Sequence, residues 1–513
     1  MKPFLFSLFF LLFSNCILAQ NYTVELVKNL NNNTGSNPRW FTEWNGALYF
    51  FANDGIDIHK IYSLTPTSLP VMCNNVTGNA VFGDGTVSTN DKMGIVNNKL
   101  YIPILGNPIG RELYSYDAVS IPTIVMDINP GNGSGNPRFF VTHNNKLYFQ
   151  ATSPTTGTEL WVHDPIANTT TNLTDINVGP NSSTVANIIL LNNKLYFSAS
   201  NGNDTIPGHT GIELYCYDIA TNTTIQITDI YPGNIGSNPT MLSVVNNELF
   251  FVATDPIYGK ELYKYDGTQI TRLTDVNPGT GQGVYTSDQS CPTYFNGCIY
   301  FAANESNNLI NLGKYDLTTN TVSIIYCAGA IHSCIPRYFT LYDNKLFFSS
   351  TDTISGIEIW HTNGIAAPSM VWDVNPGAPG SNARFFTLYN NALYFNAFND
   401  TTSGEELFKL SINPIDHPSG LSDLKKNQYQ VRISPNPCHE VLTILINIEK
   451  EASLVYQLIN SKGSVVLSTA IKQYSKGKHQ EKIELNNISN GMYFFQMKDD
   501  NGHLLFSEKI IKQ

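Results

Sequence analysis

Between residues 22 and 411 the apolar positions fall in short runs broken by Asn, Gly, Asp and Pro, and no stretch carries the 3.6-residue period of an amphipathic helix. One phrase recurs: a turn pair and Leu-aromatic-Phe, then a loop, then Glu-Leu-aromatic-x-x-Asp. The third copy reads Asn144-Asn145-Lys146-Leu147-Tyr148-Phe149 and later Glu159-Leu160-Trp161-Val162-His163-Asp164. The Leu-aromatic-aromatic cores start at Leu48, Leu100, Leu147, Leu195, Leu249, Ile299, Leu346 and Leu393, at intervals of 52, 47, 48, 54, 50, 47 and 47 residues. Each copy holds four runs of strand-like composition, which in the third are 138–142, 146–151, 159–162 and 169–173. Asn-Asn or Asn-Gly joins the first two runs, because both residues tolerate the positive φ of a tight hairpin. Asp-containing turns such as Asp266-Gly267 join the last two.

A unit of this size buries too little surface to fold alone, and four antiparallel strands repeated every roughly 40–50 residues is the pattern of a propeller blade. The Leu-Tyr-Phe run is apolar on both faces, as suits a strand held between neighbouring sheets. The last copy lacks a fourth run, while an orphan run, 22–27, precedes the first. The expectation is therefore an all-β chain with an eight-bladed β-propeller over 20–411, closed by residues 22–27. The alternative has seven blades, with copy two or six expelled.

Both ends differ from this pattern. Lys2 followed by the apolar run 3–13 and a small residue at Ala19 predicts a signal peptide over 1–19, cut before Gln20. After it no run of 18 apolar residues occurs, so no transmembrane helix is expected in the mature chain. Residues 412–428 read as a linker, and 429–513 as a small Ig-like β-sandwich of seven short strands.

Two resemblances follow from these residues. The phrase at Glu112-Leu-Tyr, Glu159-Leu-Trp, Glu213-Leu-Tyr, Glu261-Leu-Tyr and Glu358-Ile-Trp resembles the ELWxxDGT repeat family of bacterial exported proteins, with the Asp-Gly-Thr ending complete at Asp266-Gly267-Thr268. The tail resembles the C-terminal sorting domain of the type IX secretion system. The sorting motif is carried by Pro435, Asn436 and Pro437, then Gly463, Gly491 and Tyr493, and the ending Lys509-Ile510-Ile511-Lys512. That resemblance implies the type IX machinery as a partner, tail removal, and a product released or attached to the outer-membrane surface.

Charge sharpens the division. The chain has 41 Asp+Glu against 30 Lys+Arg, for −11 overall, which tells against a nucleic-acid partner. Residues 425–513 are nevertheless net +4 and the remainder net −15. The cysteines after residue 19 form no C-x-x-C pair. Cys291/Cys298 and Cys327/Cys334 are spaced to close short loops in an oxidising compartment, and free buried thiols are the alternative.

No catalytic signature stands out. The repeated loop Asp-x-Asn-x-Gly, with the variant Asp229-Ile-Tyr-Pro-Gly, places Asp127, Asp175, Asp229, Asp275 and Asp373 between the fourth strand of one copy and the first of the next. It reads as a capped Pro-Gly turn, or as a ring of oxygens for Ca²⁺. Arg39, Arg138, Arg337 and Arg384 open the first strands on the same side, positioned to bind an acidic or hydroxyl-rich ligand or to tie copies together. Asp204-Thr205-Ile206, Asp352-Thr353-Ile354 and Asp400-Thr401-Thr402 resemble an O-glycosylation acceptor of type IX-secreting bacteria. The reading that results is an exported binding module for a glycan or surface protein. A carbohydrate-active enzyme with acidic residues in the funnel and a structural surface protein are the alternatives.

Overall fold

The alternation of Leu-aromatic-Phe runs with Asn-rich turns folds entirely as β-strands in the computed structural model. It describes residues 22–31, 35–53, 55, 60–73, 92–106, 108–202, 208–286, 291–327, 333–377, 379–399, 404–412, 429–434, 438–448, 450–460, 465–486, 488–500 and 504–512. The leader, most of the linker, residues 435–437 and Gly463 lie outside them. Among the described residues no helix is long and apolar enough to cross a membrane. The strands divide into two compact units, Tyr22–Ser411 and a second that includes Ile412–Gln513.

In the first unit the described strands form eight four-stranded sheets, numbered here one to eight along the chain. Their first strands are Arg39–Trp44, Gly94–Val96, Arg138–His143, Ala186–Leu191, Thr240–Val245, Thr293–Phe295, Arg337–Tyr342 and Arg384–Tyr389. Sheets one to seven take their strands in sequence order. In sheet eight the outer place beside Glu405–Ile412 is filled by Tyr22–Lys28, from the opposite end of the unit. The residues that open the Leu-aromatic-aromatic cores of the second strands, from Leu48 to Leu393, are fully buried. Neighbouring sheets share apolar clusters: Phe149 and Trp161 of sheet three meet Tyr101 and Leu113 of sheet two, and Phe251 of sheet five meets Tyr196 of sheet four. Sheet eight packs on sheet one through Tyr389, Tyr394, Phe41 and Phe50. Tyr22 lies edge-on to Phe347 of sheet seven, with ring centroids 5.4 Å apart.

In six of the sheets the Glu of the recurring phrase fastens the sheet to the loop that leads to the next. Glu112, Glu159, Glu213, Glu261, Glu358 and Glu406 are all fully buried on third strands. Glu358 accepts hydrogen bonds from the N–H groups of Val374 (2.9 Å), Asn375 (3.3 Å) and Ser381 (2.6 Å) and from Ser381 Oγ (2.7 Å), all in the loop leading to sheet eight. Glu112 accepts from Ile128, Asn129 and Gly135 in the corresponding loop, and Glu406 from Leu30, Asn31 and Ser36. A glycine at positive φ stands two residues before each Glu, and at Gly110, Gly157, Gly211 and Gly259 the next loop comes too close for a side chain. A Cβ on Gly259 would lie 1.7 Å from the Gly281 carbonyl oxygen. The Asp of the phrase acts within its own sheet, where Asp164 and Asp218 accept N–H bonds that cap the hairpin to the fourth strand.

In the second unit, Tyr429–Ser434, Val441–Ile448 and Gly477–Glu484 form one sheet. Val465–Ser468, Ala452–Asn460, Gly491–Asp499 and Leu504–Lys512 form the main path of the other. Leu442, Ile444, Tyr456, Leu458, Phe495 and Met497 belong to their common core. The run at 465–471 predicts one strand, whereas the structure breaks it and adds Lys472–Tyr474, so eight strands replace seven. Both pieces pair along Ala452–Asn460, and between them Thr469 exchanges hydrogen bonds with the Tyr456 backbone.

Two expectations follow from the buried glutamates. Glu358→Ala removes the acceptor of four bonds, leaving the Val374 and Asn375 N–H groups without it and Ser381 with the Ile357 carbonyl alone, and is expected to destabilise the chain by about 2–4 kcal/mol. An unchanged midpoint in a denaturant titration would refute the role given to this residue. Burial raises two of them, Glu261 and Glu358, to about 7 from the ordinary 4.5 despite their donors. Their stabilising contribution is complete below 4.5 and is lost as pH rises through about 7. Asp266, held down at about 2 by the Gln269 and Thr268 donors, acts oppositely, its contribution lost as pH falls below 3.8 toward 2. The melting temperature is therefore expected to be higher near about pH 5.5 than at about pH 8, and to fall again in stronger acid. A melting temperature that climbs steadily between those two values would contradict this.

Candidate functional site

The first strands of seven sheets, with Lys92 two residues ahead of the first strand of sheet two, line a cavity of about 740 Å³. Its wall is aromatic and aliphatic: Trp40 and Phe41, Phe139 and Phe140, Tyr338 and Phe339, Phe385 and Phe386, with Tyr294, Ile188 and Leu242. Tyr338 meets Phe385 edge-on at 5.4 Å between centroids. Polar character comes from Asn187, Ser243, Thr293, Thr340 and Thr387, and Lys92 is the one charged residue among the described lining. The Ser243 hydroxyl is buried without a hydrogen-bond partner. No Asp or Glu is among these residues, so the acidic funnel expected for an enzyme is not what the cavity presents.

A repeated backbone irregularity shapes this wall. In six sheets the pairing of the first and second strands shifts after the opening residue. The next residue has a left-handed backbone: Trp40 (φ 60°), Phe139 (55°), Asn187 (56°), Met241 (55°), Tyr338 (56°) and Phe385 (60°). Large side chains avoid this region, at a cost of roughly 1–3 kcal/mol each. The bulge breaks simple alternation, which lets two consecutive aromatics, such as Phe139 and Phe140, both reach the lining. The sequence signal for this was an aromatic pair directly after each of the four arginines, and reasoning from charge alone passed over it.

The arginines stand one residue outside the lining. Arg138 and Arg384 lie 5.2 and 5.4 Å over the rings of Phe139 and Phe385, within cation–π reach. Arg384 is also ion-paired with Glu405 of its own sheet, not with an Asp of a neighbouring loop. Arg39 is buried, and Arg337 opens the first strand of sheet seven.

The aspartates occupy five separate loops. Asp127 follows Thr123–Met126 and Asp373 follows Ser369–Trp372, each with a buried oxygen that accepts no hydrogen bond. Asp175 caps its own turn through the Gly179 N–H at 2.9 Å, and Asp275 is ion-paired with Arg272 at 3.2 Å. Asp229 begins the loop whose Ile230 and Tyr231 N–H groups bond to Glu213. The Asn two places on closes the loop on itself: Asn129 Nδ2 donates to the Ser134 carbonyl and Asn375 Nδ2 to that of Gly380. Among the described residues no three His, Cys, Asp or Glu side chains gather as a metal site.

Cys291 and Cys298 are not brought together, for Cys298 packs in the cluster between sheets six and seven and Cys291 against the one between five and six. Cys327 and Cys334 share one cluster. Asp352 caps a turn through the Ile354 and Ser355 N–H groups beside an exposed Thr353, while Asp204 and Asp400 lie outside the described residues. In the tail, Gly491 pairs with Lys512 and Phe494 with Lys509. Tyr493 is buried and donates its hydroxyl to the Ser489 carbonyl at 2.8 Å.

Residues 432–513 match the secretion system C-terminal sorting domain, and such a tail indicates export to the cell surface or secretion. No curated protein matches the chain. Among solved structures it is similar to PorZ, a bacterial surface component of the type IX secretion system of Porphyromonas gingivalis, at 12% identity and TM-score 0.39, covering 94% of this chain and 59% of that one. It is also similar to a puromycin hydrolase (11%, TM-score 0.43, covering 72% and 59%). A puromycin-hydrolyzing peptidase of Mycobacterium tuberculosis is similar as well (9%, TM-score 0.42, covering 70% and 57%). The chain thus spans under two thirds of the length of each of these proteins.

Because the Asn side chains and the Asp175 cap are engaged within their own loops, EDTA and millimolar Ca²⁺ are both expected to leave the melting temperature unchanged. A rise of several degrees with Ca²⁺, reversed by EDTA, would restore the metal reading of the Asp127, Asp175, Asp229, Asp275 and Asp373 loops.

Proposed function

We propose that this chain is an exported binding module. Its eight sheets are read as the blades of an eight-bladed β-propeller of the ELWxxDGT-repeat kind, and its tail as an Ig-like sandwich handed to the type IX secretion machinery. The ligand is a glycan or a surface protein, and a glycan suits the cavity better. Aromatic faces stack on the C–H faces of pyranose rings, and Thr, Ser and Asn beside them meet hydroxyl groups. The observation that carries this reading is the aromatic cavity lined by the first strands of seven sheets, with Lys92 ahead of that of sheet two. An enzyme acting on glycosidic bonds needs a pair of carboxylates at the bond, which this lining does not supply. Arg39, Arg138, Arg337 and Arg384, just outside the lining, are assigned to the ligand's acidic or hydroxyl groups.

The test is thermal melting of the mature chain against a panel of soluble polysaccharides. A ligand at about 100 times its Kd adds about 2.7 kcal/mol of stability. Tyr294→Ala removes a lining ring that is 37% exposed, and it is expected to weaken binding about tenfold while leaving the unliganded melting temperature within about a degree. Arg138→Glu is expected to do the same. Absence of a shift with every polysaccharide would defeat the glycan assignment, and equal binding by Tyr294→Ala would defeat the site.

A further inference from the structure

Sheet six departs from the glutamate fastening in a coordinated way. The place of Glu358 is taken by Asn311: Ser350 pairs with Glu358 in sheet seven, and Ala303 with Asn311 in sheet six. Asn311 is fully buried, its Nδ2 donates to Glu305 Oε1 at 2.9 Å, and its Oδ1 has no partner. It therefore turns toward its own sheet and holds nothing in the next loop. The glycine that precedes each Glu by two is here Leu309.

The loop that follows keeps its length and docking. Counted back from Arg337 and Arg384, Cys334 corresponds to Ser381 and Cys327 to Val374. Cys334 N–H donates to the Ile310 carbonyl at 2.9 Å, as Ser381 N–H donates to that of Ile357 at 2.9 Å. Val374 and Ser381 are the two ends of the loop that Glu358 joins. In sheet six those two ends are the cysteines. Both are free thiols here, buried in one cluster, and Ser350 Oγ donates to the Cys334 carbonyl at 2.6 Å. Cys327 Sγ also lies 3.6 Å from Ser350 Oγ.

We propose that Cys327 and Cys334 form a disulfide in the exported protein, a covalent fastening in the place where six other loops are held by a buried carboxylate. Export takes the chain into compartments where disulfides form and persist. The oxidant is a dithiol oxidase that carries its own disulfide. One cysteine thiolate attacks that bond to give a mixed disulfide and release one oxidase thiolate. The second cysteine thiolate then displaces the other, so the chain loses two protons and two electrons and the oxidase departs as a dithiol. Burial of both sulfurs requires this exchange to occur while the loop is still open, during folding.

The experiment takes mature protein from the exported fraction, unfolds it without reductant and alkylates it with iodoacetamide. Cys327 and Cys334 are expected to escape label, in a linked peptide lighter than its reduced form by two hydrogens, and to take label after dithiothreitol. Labelling of both before reduction would overturn the proposal. A second arm separates the fastening role from mere oxidation. Cys327→Val with Cys334→Ser is expected to lower the melting temperature by about 3–5 °C and to abolish its dependence on dithiothreitol. Adding Asn311→Glu is expected to recover at least half of that loss. Failure to recover any would show that the cysteines do not stand in for the carboxylate.

Discussion

The first unit depends on a carboxylate buried at the seam between one sheet and the next. Apolar clusters join the sheets strongly but without direction, and would tolerate a sheet sliding over its neighbour. A buried carboxyl group that accepts several N–H bonds cannot tolerate that. It offers about four acceptor positions, and burying it unpaired costs several kcal/mol. Glu358 finds its donors in one arrangement of residues 374–381, so that arrangement is fixed along with the close approach at each preceding glycine. The glutamate is a device of register more than of net stability.

That fixity bears on the cavity. Six residues of its wall and rim, five of them bulky, are held at positive φ, each at a cost comparable to a good share of a domain's roughly 5–15 kcal/mol of stability. Such strain persists only where the surroundings determine the backbone from both sides. The strained residue lies directly after the fastened loop: Ser381 is bound to Glu358, and Phe385 is four residues on. The same loop that ties two sheets together delivers the aromatic pair to the cavity, which makes the wall rigid before any ligand arrives.

Much of the architecture was legible because the relevant signals are local. Leu147-Tyr148-Phe149 is apolar on both faces, and Asn144-Asn145 marks its turn with residues that accept positive φ. The sorting tail was legible from its order of short motifs. The role of Glu159 and its equivalents was not, because a charged residue in a strand reads as exposed unless burial is known, and its partners lie in the loop some 15–24 residues on. The aromatic wall was missed for a related reason. Strand alternation places Phe139 and Phe140 on opposite faces, and only the bulge brings both to the lining. Charge drew attention to Arg138 when the informative residues were the two after it. The aspartate loops were ambiguous because the same Asp-x-Asn-Pro-Gly chemistry that offers oxygens to a cation also closes a turn on itself, and only the Asn129 and Asn375 contacts show the second use.

Departures from the repeat are as instructive as its regularities. A copy cannot lose its glutamate alone, since the N–H groups of the next loop would be left facing a void. In sheet six the change is joint: glycine, glutamate and the serine or glycine that answers it are all replaced, and the loop length is kept. Sheet one departs at the same place, with Lys60 paired opposite Ala52 where sheet three pairs Glu159 opposite Ala151. A lysine offers donors and no acceptor, so it cannot serve a loop's N–H groups as the glutamate does. The unit of variation in this chain is therefore the whole fastening, glycine, carboxylate and loop together, and a substitution that touches one member is tolerated only when the others change with it.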